Sequence, residues 1–208
     1  MLRLLGRSNS LNVRKVLWLC TELELPYEQE LWGAGFRPTT DPPFLALNPN
    51  AMVPVIVEDD GFVLWESNAI CRYLAGKYGR EDLLPTELRA RANIERWMDW
   101  QAGDLNMSWR CAFMALVRKK PGFDDEREIA ASTAEWNRLM TILDGQLTAS
   151  GGYVAGPAFT LADVCVGLAT HRWFMAPIER PTLKAVEAYY ERLMERPGYR
   201  AHGRNGEP

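Results

Sequence analysis

Reactive side chains are scarce in this chain of 208 residues. Its only histidines are His171 and His202, and its four cysteines lie far apart, with no CxxC pair and no metal-ligand spacing. Such a set gives little support to a metal site or to a histidine-based triad. We therefore expect the cysteines to be reduced, small residues of the core. His171, in the segment LATHRW, is expected to be a structural residue of a helix.

A charge bias and a long apolar run are also missing. The 24 basic and 27 acidic residues are mixed along the chain and give a net charge of −3, so no strong positive field is available to hold nucleic acid or an anionic membrane. No apolar stretch approaches the roughly 18 residues of a membrane span, and the start, MLRLLGRSNS, lacks the apolar segment of a signal peptide. We expect a cytoplasmic protein with no nucleic-acid or membrane partner.

The stretch NPNAMVPVIVEDDGFVLWES is the most informative part of the chain. Its apolar runs at 53–57 and 62–65 flank a turn, which predicts an antiparallel hairpin. Ser67 precedes the apolar-periodic NAICRYLAGKY and is expected to be the N-cap of a helix whose first N–H groups attract a carboxylate. If the bond before Pro54 is cis, the main chain of Val53 turns away from the sheet toward a peptide-like ligand. A plain surface hairpin with a trans proline is the alternative.

Residues 1–80 predict an α/β domain. The strand Leu2–Leu5, a polar loop at 7–12 and a helix to about Leu23 are followed by the alternating segment YEQELW, which predicts a right-handed βαβ crossover. The glycines and prolines of residues 33–49 predict an irregular loop that borders a site, with one short helical turn at about Pro43–Leu47. With the hairpin and its helix, the plan has four strands and three helices, as in a thioredoxin-like domain.

The remainder of the chain predicts helices only. GREDLLPT, residues 79–86, carries the glycine, proline and charge of a linker to an all-α domain at 87–208. The fold class is therefore α/β followed by all-α.

Within the helical half, the first helical run is predicted from Glu87 to about Lys119, and Gly103 and Asp104 predict a kink in it. Thr160 and Asp163 have the spacing of an N-cap and its N3 carboxylate, before the almost wholly apolar LADVCVGLATHRW. We expect that helix to lie at the centre of the core. A last helix is predicted over Pro181–Arg196.

Four motifs carry a resemblance to a known family: SNSLNVRKVLWLCTELELPYE at the start, NPNAMVPVI and LWESNAICRYLA in the middle, and FTLADVCVG in the second half. In this order they resemble the cytosolic glutathione S-transferases, especially the theta-like bacterial members that use Ser or Asn. The resemblance covers nearly the whole chain. It implies a homodimer that takes glutathione as co-substrate and needs no metal.

The resemblance also implies where glutathione binds. Val53, next to Met52 and before Pro54, which is cis in the family, would pair its main chain with the cysteinyl part. Glu66 and Ser67 would hold the γ-glutamyl end. A helix N-terminus beside a carboxylate suits a zwitterionic amino-acid head, because it offers both an anion site and an acceptor for the ammonium.

The catalytic group of the family stands just after the first strand or at the start of the first helix, where it donates a hydrogen bond to the glutathione sulfur. Here that loop has no tyrosine and no cysteine, which leaves Ser8, Asn9, Ser10 and Asn12. The family's catalytic serine falls on Ser10, and Asn12 would be a second donor. The alternative is that Ser10 or Asn12 merely caps the helix.

Aromatic side chains are candidates for the wall of a hydrophobic-substrate site. The first helical run of the second domain would face this site and carries Trp97, Trp100, Met107, Trp109, Arg110 and Phe113. A helical aromatic stripe is equally well explained as part of the core. Trp32 and Phe36, after the second strand, could lean over glutathione.

Three functions agree with these expectations. The first is conjugation of the glutathione thiolate to a small hydrophobic electrophile. The second is glutathione-dependent reduction of a disulfide or peroxide, or isomerisation or dehalogenation. The third is a non-catalytic glutathione- or ligand-binding protein of the same fold. Glu66, Ser67 and the Val-Pro pair argue against the third, because a scaffold has no need to grip glutathione.

Overall fold

The computed structural model describes residues 1–206 and 208, and these form two compact units. The first unit contains residues 1–84 and 196–205, and the second contains residues 85–195, 206 and 208. Residues 196–205 were expected to belong to the helical domain at 87–208, but they belong to the first unit. Within the described residues, none of the helices has the length and apolarity that a membrane crossing requires.

A four-stranded sheet forms the centre of the first unit. Its strands are β1 (Leu2–Leu5), β2 (Tyr27–Glu30), β3 (Val55–Val57) and β4 (Val63–Trp65), in the order β2-β1-β3-β4. β1 pairs in parallel with β2 and antiparallel with β3, and β3 pairs antiparallel with β4. The parallel pairing of β1 with β2 and the predicted hairpin are therefore both present.

Three helices accompany this sheet: α1 (Leu11–Glu22), α2 (Pro42–Leu45) and α3 (Ser67–Lys77). α1 packs against α3. Because α1 already begins at Leu11, Asn12 belongs to its first turn and not to the predicted polar loop.

The start of α3 lies one residue earlier than the sequence predicts. Ile70 N donates the first helical hydrogen bond to the carbonyl of Glu66 at 2.9 Å, so Glu66 is the N-cap and Ser67 is the first helical residue. The prediction of Ser67 as the N-cap was wrong for this reason. Ser67 nevertheless contributes one of the N–H groups that have no partner inside the helix.

The second unit is helical. Its helices are α4 (Leu88–Trp100), α5 (Asn106–Ser108), α6 (Arg110–Leu116), α7 (Glu126–Ser150), α8 (Leu161–Met175) and α9 (Lys184–Arg192). A π-helical turn, Gln101–Leu105, separates α4 from α5. It contains Gly103 and Asp104, so the kink predicted at this point takes the form of a π-bulge.

α8 is the central helix of the second unit, as predicted. Every residue from Leu161 to Trp173 is buried, and α8 packs against α4 and α9. At its start, Thr160 N donates to Asp163 Oδ2 at 2.8 Å, which confirms the predicted capping box. Further along, His171 Nδ1 lies 2.9 Å from the Tyr190 hydroxyl in the interior, in agreement with a structural role.

The last helix is shorter than predicted, because α9 ends at Arg192 and irregular turns follow. The C-terminal segment, residues 196–205, then packs on α1. The rings of Trp18 and Tyr199 lie 4.9 Å apart, and Arg14 Nε donates to the carbonyl of His202 at 2.6 Å. These contacts explain why this segment belongs to the first unit.

The four cysteines are free thiols, as expected. Cys20, Cys71 and Cys165 are buried and Cys111 is half-buried. Burial raises the pKa of Cys20 to about 12, so this side chain stays protonated and behaves as a small apolar residue.

Candidate active site

A small cavity of about 70 Å³ in the first unit brings together three separate segments of the chain: the start of α1, the loop before β3 and the start of α3. Its lining residues are Asn12, Asn48, Met52, Val53, Pro54, Glu66 and Ser67. The sequence predicts every one of these as a site residue except Asn48. A cavity of this size encloses only part of a tripeptide, so the rest of such a ligand would lie on the open surface.

The loop before β3 has the backbone geometry that the sequence suggests. The Val53–Pro54 peptide bond is cis. The ladder of β3 with β1 and β4 begins at Val55, so Val53 precedes it. Pro54 is buried and Val53 is half-buried, whereas Met52 is 62% exposed.

Asn48 supports this loop and was missed from the sequence. It is buried, its Nδ2 donates to the carbonyl of Met52 at 2.7 Å, and its Oδ1 accepts from Asn50 N at 3.0 Å. An asparagine that binds the backbone two residues later is an Asx turn. The NPN sequence was the signal that could have identified it. Asn48 therefore holds the main chain that carries Met52 and Val53.

Gly6, at the end of β1, lies directly behind Val53. A Cβ built on Gly6 would lie 2.5 Å from Val13 Cγ2 and 3.2 Å from Val53 Cβ. The first distance is shorter than any real contact, and the φ of Gly6, +151°, is unfavourable for other residues. The absence of a side chain here allows α1 and the loop before β3 to approach each other.

The start of α3 supplies charge and hydrogen-bond donors. Ser67 is buried, and Glu66 is exposed with φ +73° and ψ 111°. Such a backbone conformation costs about 1–3 kcal/mol in a residue other than glycine, and positions of this kind concentrate at functional sites. The first N–H groups of α3 favour an anion, and the Glu66 carboxylate offers an acceptor for a cation next to it.

The four candidate catalytic residues lie in different surroundings. Ser8 is exposed, and its Oγ accepts from Gln29 Nε2 at 3.1 Å. Asn9 has a buried Oδ1 with no hydrogen-bond partner in the described part of the chain. Ser10 is the N-cap of α1, but its side chain makes no capping hydrogen bond. Of the four, all within the described residues, Asn12 alone lines the cavity.

Trp32 is not in an open loop. It is 4% exposed, it belongs to the core cluster of the sheet, and its ring lies 5.2 Å from that of Phe44. Its Nε1 donates to Glu30 Oε2 at 3.2 Å. This burial contradicts the expectation that Trp32 leans over a ligand, because packing already encloses the ring. Phe36 is 48% exposed, as expected for a loop residue.

The predicted substrate residues of the second unit do not share one pocket. Trp100 lines a groove of about 530 Å³ with Trp97 and residues of α7. Trp109 instead packs against Phe113 at 5.2 Å and against the guanidinium of Arg172 at 4.5 Å. Trp97 and Phe113 are buried, which agrees with the core alternative.

Met107 and Arg110 remain accessible, Met107 with 67% of its surface exposed. A further depression of about 400 Å³ in the first unit, near Leu25, Glu58 and Tyr78, contains none of the predicted site residues.

Known proteins resemble this chain over almost its full length. Residues 9–77 match the family of glutathione S-transferase N-terminal domains, and residues 107–197 match the family of glutathione S-transferase C-terminal domains. The chain is 40% identical over 201 residues to glutathione S-transferase GstB of Escherichia coli (strain K12), with 96% of each chain covered. It is 32% identical over 206 residues to glutathione S-transferase 3 of Zea mays, with 95% of this chain and 91% of the maize protein covered.

A solved structure is similar as well. The theta class glutathione S-transferase of the citrus canker pathogen Xanthomonas axonopodis pv. citri, crystallised with glutathione bound, superposes with a TM-score of 0.90 at 38% sequence identity. The match covers 97% of this chain and 96% of that protein.

Proposed function

Since the chain belongs to the glutathione S-transferase family, we propose that the cavity beside Pro54 binds glutathione and that Asn12 contacts its sulfur. The observation that supports this proposal most directly is the cavity itself, which joins Asn12 to Val53 and Ser67. These are one donor near the start of a helix, one main-chain segment outside the sheet and one helix N-terminus. A peptide thiol with an acidic head requires these three elements.

Each part of glutathione has a partner in this arrangement. The main chain of Val53 pairs with the cysteinyl residue. The α-carboxylate of the γ-glutamyl residue binds the first N–H groups of α3 and the hydroxyl of Ser67, and its ammonium faces Glu66. An anion at a helix N-terminus gains about 0.3–1 kcal/mol at an exposed site and up to about 2 kcal/mol when partly buried.

Catalysis requires a thiolate at neutral pH. Lowering the pKa of a thiol from about 8.5 to below 7 takes about 2 kcal/mol. A hydrogen bond from the amide of Asn12 to the charged sulfur, together with the N-terminal dipole of α1, supplies energy of this size. The thiolate then forms a carbon–sulfur bond with the electrophile, and the leaving group departs with the electron pair of the bond that breaks. Ser10 is the second candidate for the donor.

Alanine variants at these two positions separate the candidates. Asn12→Ala is expected to lower kcat/KM for a chlorinated nitrobenzene by about 10- to 100-fold and to raise the pKa of the bound thiol by about 1 unit. Its affinity for glutathione, measured by calorimetry, should change less than 3-fold. Ser10→Ala is the matched control and should retain most of the activity. Loss of activity in Ser10→Ala but not in Asn12→Ala would assign the thiolate contact to Ser10.

The same variants should be assayed with a small disulfide and glutathione. Faster turnover of the disulfide than of the chlorinated nitrobenzene would favour the reductase alternative within the family.

The electrophilic substrate and the oligomeric state are further parts of the proposal. A small hydrophobic electrophile suits the apolar side chains of the second unit, with Trp100, Met107, Trp109 and Arg110 as candidate contacts. The chain acts as a cytoplasmic homodimer, as the family resemblance implies. Sedimentation at micromolar concentration should then give about twice the chain mass of 23.7 kDa.

A further inference from the structure

Lys15 is a buried lysine in α1 whose ammonium lies at the first turn of α3. Only 1% of the residue is exposed, and its Nζ donates to Asn68 Oδ1 at 3.0 Å. Asn68 is the second residue of α3 and directly follows Ser67. The ammonium therefore binds the side chain of a residue in the turn whose N–H groups form the anion site proposed above.

This hydrogen bond joins α1 to the first turn of α3. A hydrogen bond from a charged donor is stronger than one between neutral groups, so it constrains the position of that turn. The first N–H groups of α3 have no partner inside the helix and favour an anion. The anion site therefore depends on how this turn is held.

Lys15 also connects the two halves of the site. It lies three residues after Asn12, and side chains at this spacing share a face of the helix. Asn12 lines the cavity, while Lys15 contacts α3. The position of the sulfur contact on α1 is thus linked to the position of the anion site on α3.

From these contacts we infer that Lys15 is a positioning residue for glutathione. Its ammonium fixes the first turn of α3 through Asn68, and the N–H groups of that turn receive the γ-glutamyl α-carboxylate. This inference rests on the proposed function.

Arg14 provides a matched control. It is the neighbouring residue on α1 and is likewise 1% exposed. Its guanidinium, however, donates to the carbonyls of His202 and Gly203 in the C-terminal segment. If the loss of a buried cation from α1 were the only cause of an effect, Arg14→Met should show the same effect as Lys15→Met. A change at the anion site should occur in Lys15→Met and not in Arg14→Met.

The experiment compares two ligands by calorimetry: glutathione, and the analogue in which 4-aminobutyrate replaces the γ-glutamyl residue and removes the α-carboxylate. The wild-type protein is expected to bind the analogue about 30-fold more weakly. Lys15→Met should weaken glutathione about 10-fold and the analogue less than 3-fold, so that discrimination falls to between about 3- and 9-fold. Arg14→Met should keep the discrimination of the wild type.

The outcomes distinguish the inference from the proposed function. If the wild-type protein binds neither ligand, the proposed function fails. If it binds glutathione but Lys15→Met keeps full discrimination, the inference alone is overturned. Should Lys15→Met not fold, Asn68→Ala at a half-buried position replaces it. That variant should weaken glutathione by more than 3-fold, and unchanged affinity would overturn the inference.

Discussion

At the residue scale, the candidate site depends on positions where the backbone is unusual. Glu66 has a positive φ without being a glycine, and Gly6 permits a close approach that no other residue allows. Asn48 uses its side chain to hold the loop before β3. The shape of the candidate site therefore depends on the conformation of the main chain at these positions as well as on its side chains.

Gly6→Ala tests this dependence on geometry. The new Cβ would collide with Val13 and press on Val53, so the loop before β3 must shift. We expect the free energy of unfolding to fall by about 1–3 kcal/mol and the Kd for glutathione to rise about 10-fold. Urea denaturation and calorimetry measure the two effects.

Gly35→Ala is the control, because Gly35 also has a positive φ but its added Cβ would meet no neighbour within 4 Å. It shares the backbone penalty without the collision. An equal loss of glutathione affinity in both variants would contradict the role of close packing at Gly6.

Local sequence patterns predicted most of the residues that line the cavity. Ser67, Glu66 and the Val-Pro pair belong to a hairpin and a helix start that lie within twenty residues of each other. Trp32 was placed incorrectly because its neighbours in sequence are loop residues, whereas its packing partner, Phe44, lies twelve residues later. A local pattern contains no information on such a contact.

At the element scale, α8 shows how a helix start can carry a buried charge. Asp163 accepts hydrogen bonds from Val154 N at 2.9 Å, Thr160 N at 2.8 Å and the Tyr189 hydroxyl at 3.1 Å. Burial nevertheless raises the pKa of Asp163 from 3.8 to about 6. The loss of water around the carboxylate therefore outweighs the donors.

This shift predicts a pH dependence of stability. Because the folded protein binds the Asp163 proton more tightly than the unfolded chain does, the contribution of Asp163 to the free energy of unfolding falls as pH rises from about 4 to about 6. A shift from 3.8 to about 6 corresponds to roughly 3 kcal/mol over that window.

Asp163→Asn removes the titrating group and keeps one oxygen acceptor. The difference in free energy of unfolding, wild type minus variant, should decrease between pH 4 and pH 6.5 in urea denaturation. A difference that is constant or rises with pH would show that the pKa of Asp163 is not raised in the folded protein.

The bounds of regular elements agree well with the sequence where one periodicity runs uninterrupted. β1 was predicted at its observed residues, and α8 begins at Leu161, the first residue of the predicted segment LADVCVGLATHRW. Residues 193–196 were predicted as the end of the last helix, but Leu193–Glu195 form a 3₁₀ turn, and a π-helical turn follows at Tyr199–Gly203. The π-helical turn packs against α1, a tertiary contact that periodicity does not report.

At the scale of the whole molecule, the first unit is discontinuous. Residues 1–84 form one unit with the C-terminal segment, which contacts the buried side chains of Arg14 and Trp18. Gly198 is in such close contact that an added Cβ would lie 2.2 Å from Trp18 Cδ1. Arg196 pairs with Glu22 at the other end of α1.

A chain ended after Glu195 should therefore lose stability in its first unit. It would leave the Arg14 guanidinium without two carbonyl partners and would expose Trp18. We expect a loss of about 3–5 kcal/mol. Amide hydrogen exchange of α1 should accelerate accordingly, by about 100-fold or more.

A chain ended after Asn205 serves as the comparison, because it retains the whole C-terminal segment. Its α1 amides should exchange as in the full chain. Equal protection of α1 in both shortened chains would mean that residues 1–84 fold without the segment.

The sequence alone determined the two kinds of domain, the order of strands and helices along the chain, the family and most of the residues that line the candidate site, because these depend on local periodicity, turn chemistry and short motifs. Only the tertiary structure decided that Asn12 and not Ser10 lines the cavity, that Trp32 is core, that Lys15 reaches α3 and that the last residues close the first unit. Each of these is a contact between segments far apart in the chain, formed by burial and hydrogen bonding in the folded state, and such contacts leave no local pattern.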